Sequence, residues 1–139
     1  MTEKKVIDSN KYIDFVRQTT SPASTNYADL LSRLSQLEVE SDVDVPRLLT
    51  AALGISAEAG EFTEVVKKIF LQGKPYNEES VFHMKRELGD IMWYIAQACM
   101  ALDTNFREIM EMNYEKLSAR YPEGTFDVWR SENRKEGDL

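Results

Sequence analysis

Met84-Lys85-Arg86-Glu87-Leu88-Gly89-Asp90-Ile91-Met92-Trp93-Tyr94-Ile95 is the stretch that decides the fold of this chain. Carried on to Leu102, its residues Met84, Leu88, Ile91, Ile95, Ala98 and Leu102 recur in alternating steps of four and three. That is the seam of an amphipathic helix. Upstream, Asn77 with Glu78 and Glu79 behind it reads as an N-cap with acids on the positive helix end. The helix therefore runs to about Leu102.

Working outward, a long helix is expected from about Pro46, which suits a first turn, to Gln72. Gly73 can cap it, with Pro75 close behind. Before it, Tyr27 to about Val39 places Leu30, Leu31, Leu34 and Leu37 at helical spacing, after a first helical block from Ser9 to Thr19. Ser21-Pro22-Ala23-Ser24 and Ser41-Asp42-Val43-Asp44 are the breaks. On the other side, Asp103 or Thr104 can cap a fifth helix ending near Tyr121-Pro122. Residues 127–139 form a polar tail, expected to dock loosely or stay partly disordered, with Phe126 and Trp129 as anchors. Period-two strands and hairpin turns are missing. The expectation is an all-α fold, an antiparallel helical bundle spanning 1–126 as a single domain. Two long helices leave apolar seams uncovered, so a homodimer, or a dimer of dimers, is expected to complete the core.

A chain of 139 residues, 42% hydrophobic and 29% charged, suits one globular domain. The net charge of −7 argues against a nucleic-acid surface, which needs a basic face. A small phosphorylated ligand remains open, because a cation can bridge acids to phosphate. Single Cys99 and His83 build neither a disulfide nor a soft-metal site. Cys99, among Ala98, Met100 and Ala101, is expected to be buried and inert. No apolar leader follows Met1-Thr2-Glu3-Lys4-Lys5 and no run has the length of a membrane span. A cytoplasmic setting, bacterial or that of an infected host, and no membrane partner are expected.

The chemistry lies in the placing of the acids. Glu58 and Glu61 share one face of the third helix, between Gly54 and Val65; Glu87 and Asp90 repeat the spacing beside the fourth-helix seam. Two antiparallel helices can bring all four together. Such carboxylates repel one another unless a cation neutralises them, and oxygen ligands favour a hard ion such as magnesium. A single acid pair of this kind is most often an ordinary solvated face. Two pairs, each against an apolar seam, favour the metal. A di-iron bundle needs Glu-x-x-His on two helices, and His83 is the only histidine.

Glu58-Ala59-Gly60-Glu61 followed by Glu87-Leu88-Gly89-Asp90 resembles the E-x-x-E…E-x-x-D signature of the MazG-like all-α nucleoside triphosphate pyrophosphohydrolases. Asn113-Tyr114-Glu115-Lys116-Leu117-Ser118-Ala119-Arg120-Tyr121-Pro122 is similar to that family's N-x-x-K-x-x-x-R-Y-P segment. The resemblance spans Leu48 to Phe126, with the motifs inside 46–122. It implies cleavage of an NTP or dNTP between the α- and β-phosphates, with Mg2+ (Mn2+ as a substitute) on Glu58, Glu61, Glu87 and Asp90. It also implies Glu61 or Glu64 as base and phosphate binding by Asn113, Lys116 and Arg120. Lys68 and Tyr121 are further substrate-binding candidates, and Lys67, His83, Lys85, Arg86, Trp93 and Tyr94 weaker ones with surface or core placement as the plainer reading. Two other readings compete: a hydrolase of an alarmone or modified nucleotide, and a non-enzymatic helical module with a structural cation. The compact form suits a bacterial or a phage-encoded protein, and a homodimer or homotetramer.

Overall fold

The computed structural model describes residues 8–138, and every element among them is helical. The chain divides between Val43 and Asp44 into two compact units. The first holds α1 (Ser9–Thr19), a 3-10 turn at Pro22–Ser24 and α2 (Tyr27–Glu40), close to the blocks expected. Asp8 caps α1 by accepting from the Lys11 amide, and Asn26 caps α2 through the Asp29 amide. Tyr12, Phe15, Leu30 and Leu31 stay exposed.

The second unit opens with α3 (Val45–Leu71) and α4 (Glu78–Ala101). Asp44 accepts the Arg47 amide at 3.1 Å, and Pro46 occupies the first turn, where an amide would have no partner. Gly73, at φ +73°, ends α3 as expected; the Lys68 carbonyl accepts from both Gln72 and Lys74. Asn77 forms a reciprocal capping box, its side chain taking the Ser80 amide while Ser80 Oγ accepts the Asn77 amide.

The two long helices form an antiparallel hairpin. The Arg47 guanidinium donates to Gln97 Oε1 at 2.7 Å, tying the start of α3 to the end of α4. Further in, the Tyr94 ring lies against Gly54, where an added Cβ would sit 2.0 Å from Cδ1. Only a glycine leaves the space for that ring. Ala51, Val65 and Cys99 are buried, as expected for Cys99, but the α4 seam is rotated from the expected one. Glu87 lies inside and Leu88 is 48% exposed. A purely apolar count places leucine inward; here the inward line instead runs through Ser80 and Glu87.

α5 (Phe106–Arg120) is capped by Asn105, which accepts the Glu108 amide at 3.0 Å. This corrects the expected cap at Asp103 or Thr104. Asp103 adopts φ +53° and closes α4, and the Thr104 amide returns to the Cys99 carbonyl. Asp103 serves the helix before it, while Thr104 joins the two, its amide to α4 and its hydroxyl to Glu108 Oε2 on α5. The tail also differs from expectation: it forms α6 (Val128–Glu132) and returns to α5 through Asp138. Phe126 and Trp129, the expected anchors, are 73% and 67% exposed. Among the described residues no helix is long and apolar enough to cross a membrane.

Candidate active site

Glu58 and Glu61 on α3 meet Glu87 on α4, each offering an oxygen within 4.8 Å of the others. Their surroundings grade from inside to outside: Glu87 buried, Glu58 half-buried, Glu61 exposed. Glu87 Oε1 accepts from His83 Nε2 at 2.8 Å. Its Oε2 is buried with no hydrogen-bond partner. A carboxylate oxygen held out of water without a donor is costly unless something positive meets it. Burial, then the charges of Glu61, Asp90 and Glu87, hold the Glu58 carboxyl above its ordinary range. These features together fit a hard cation on oxygen ligands.

Asp90 is exposed and lines a cleft of about 400 Å³ with Glu58, Trp93 and Tyr94. The two rings there pack edge to face, with centroids 4.9 Å apart. Acids and aromatic surface thus adjoin at one place on the hairpin.

Glu64 is placed differently. It pairs with Lys67 at 2.8 Å and Lys68 at 3.2 Å, and both hydrogen bonds hold its carboxyl below the usual range. Lys68 is therefore engaged along its own helix. These pairs are half exposed, so they contribute little to stability.

Asn113, Lys116 and Arg120 lie on α5 and line a cleft of about 530 Å³ whose other wall is the segment Lys135–Asp138. Arg120 donates from Nε to Asp138 Oδ2 and from Nη2 to Oδ1, both at 2.7 Å. The paired carboxylate raises the Arg120 pKa further, and Asp138 falls to about 2. Lys116 Nζ lies 3.5 Å from the same carboxylate. Tyr121 faces a neighbouring cleft and packs on Phe126, ring centroids 5.9 Å apart. The hairpin brings three of the four expected metal ligands into one cluster with Asp90 beside it. Asn113, Lys116 and Arg120 gather separately on α5, in a cleft that the tail closes, and Lys68 stays on α3.

Two contacts lie outside the expected site. His83 touches a cluster carboxylate, and its i,i+4 spacing to Glu87 was a readable signal. Asp138 carried none, because its partner lies 18 residues away.

A helical hairpin with facing E-x-x-E and E-x-x-D acids is followed by α5, which carries Asn113, Lys116 and Arg120. The chain belongs to the MazG nucleotide pyrophosphohydrolase domain family, which it matches over residues 47–125. Across 74 residues it is 38% identical to the Gene 37 protein of Mycobacterium phage L5. That match covers 52% of this chain and 64% of the phage protein, less than two thirds of its length. No solved structure matches the chain.

Proposed function

We propose that the protein hydrolyses a nucleoside triphosphate between the α- and β-phosphates, yielding the monophosphate and pyrophosphate. Glu58, Glu61, Glu87 and Asp90 would hold magnesium, with manganese able to replace it. The observation that carries this reading is the unpartnered, buried Glu87 Oε2 beside Glu58 and Glu61. A bound divalent cation supplies neutralisation of the charge developing on the leaving pyrophosphate and makes water easier to deprotonate.

The remaining roles fall to side chains. Glu61, the exposed member of the cluster, is the better general base: it is open to water and can accept the proton as oxygen attacks phosphorus. Glu64, tied to two lysines and lowered in pKa, is the weaker candidate. As attack proceeds, the bridging P–O bond breaks and its electron pair leaves with pyrophosphate. Asn113, Lys116 and Arg120 bind phosphoryl oxygens, with Tyr121 beside them and Lys68 able to join on release from Glu64. Trp93 and Tyr94, adjoining Glu58 and Asp90, offer a face for the base.

Assembly fits the same reading. Leu49, Leu53, Phe70 and Leu71 on α3 are all more than half exposed, an apolar surface that a second copy would cover. A homodimer or homotetramer also gives α5 of one copy a route to the acids of another. The mycobacteriophage relative supports a phage-encoded origin.

The test is a panel assay for pyrophosphate release from each NTP and dNTP, with and without magnesium. Release from at least one nucleotide, dependent on the metal, is expected. Silence across the panel in the wild-type protein overturns the reading.

A further inference from the structure

The tail, expected to be loose, delivers a carboxylate to Arg120 on α5 with defined geometry. Lys135-Glu136-Gly137-Asp138 forms a tight turn closed by the Asp138 amide on the Lys135 carbonyl at 3.0 Å. Gly137 sits at φ +86°, a conformation that a side chain would strain. The turn places Asp138 against one edge of Arg120. The two side chains are only 10% and 12% exposed.

We infer that Asp138 is a positioning residue: it clamps the Nε–Nη2 edge of Arg120 so that the remaining guanidinium N–H groups are presented to a phosphate. This rests on the reading that Asn113, Lys116 and Arg120 bind the substrate's phosphates. Guanidinium carries five N–H donors; a side-on carboxylate uses two of them and the Tyr121 side chain meets the group as well, so the donors left over are those offered to an anion. The cleft bounded by Asn113, Lys116 and Arg120 keeps about 530 Å³ with Asp138 already bonded. Asp138 therefore forms part of the wall and leaves the seat open. A free arginine samples many rotamers, and fixing it beforehand lowers the entropy lost when the anion binds. Lys116, 3.5 Å from the same carboxylate, is steadied by the same group.

The opposite role, a carboxylate that blocks the phosphate seat, predicts the opposite sign. Neutralising Asp138 removes a negative charge beside an anion site, so charge alone would tighten binding. Positioning predicts weakening.

The experiment measures binding of magnesium tripolyphosphate to the full chain by calorimetry, together with kcat and KM for pyrophosphate release. Asp138→Asn is expected to weaken binding about tenfold and raise KM with kcat nearly unchanged, the pattern of lost preorganised binding. Asp138→Glu, which keeps the fork, should recover part of the loss. Gly137→Ala, which strains the turn but keeps the carboxylate, should move in the same direction as Asp138→Asn. Helical circular dichroism of each variant should match the wild type. Unchanged or tighter binding in Asp138→Asn, with Arg120→Ala still defective, overturns the clamp and leaves the phosphate reading standing. Arg120→Ala that binds tripolyphosphate like the wild type overturns both.

Discussion

Replacing Glu87 by glutamine should stabilise the metal-free protein while removing its response to metal. Glu87 is 7% exposed at its side chain, and one of its oxygens has no partner. Around it stand Glu58 and Glu61, whose oxygens are also acceptors when ionised. In glutamine the carbonyl can keep the bond from His83, and the new NH2 can donate toward Glu58 or Glu61. A repelling acceptor becomes a donor among acceptors. The cost of a buried unsatisfied polar group is about 1–3 kcal/mol, and that is the expected gain. For a chain of 139 residues the gain raises Tm by about 3–10 °C. The assay is thermal unfolding in chelator and in excess magnesium. In the wild type, binding to the folded state should add about 2.7 kcal/mol when magnesium reaches a hundred times its Kd. In the variant that increment should nearly vanish. A Glu87→Gln protein that melts below the wild type in chelator, or keeps the full magnesium increment, refutes the reasoning.

Gly54→Ala should cost about 1–3 kcal/mol in urea unfolding, because its Cβ meets the Tyr94 ring and overpacking outweighs the gain in helix propensity. Its metal affinity should fall as well, since Tyr94 is one turn from Asp90. His83→Ala should weaken manganese binding about tenfold by freeing Glu87 Oε1, read by electron paramagnetic resonance; an unchanged affinity would remove His83 from the site. The raised Glu58 pKa has a definite sign. Its contribution to stability is fully present below the unfolded value of 4.5 and is lost as pH rises through the higher folded value. Metal-free Tm should therefore decline across that window, and saturating magnesium should flatten the decline.

The helices were legible because their signals are local. Ser9–Thr19, the Asn77 cap and the Gly73 stop each depend on residues a turn apart. Glu58, Glu61 and Glu87 were legible for the same reason: i,i+3 spacing fixes a face, and the hairpin does the rest. The start of α5 was misread because Asp103 can cap a new helix or close an old one, and only its left-handed backbone decides between them. Burial of Glu87 in place of Leu88 escaped an apolar count, which assumes that the inward line is greasy. Asp138 lay beyond any local rule. Its place depends on a turn at Gly137 and a partner on a different element.

The Tyr94–Gly54 contact sets a measurement as well as a packing. Along the hairpin, Arg47 meets Gln97, Gly54 meets Tyr94, Glu58 adjoins Asp90, and Glu61 joins Glu87, so the two helices are keyed like a ruler against its mate. A slip by one helical turn moves a side chain about 5.4 Å along the axis. That exceeds the 4.8 Å within which the three glutamate oxygens gather. Where the chain lacks a side chain at position 54, it gains an alignment mark: the ring drops into one notch, and the acids come into register only there.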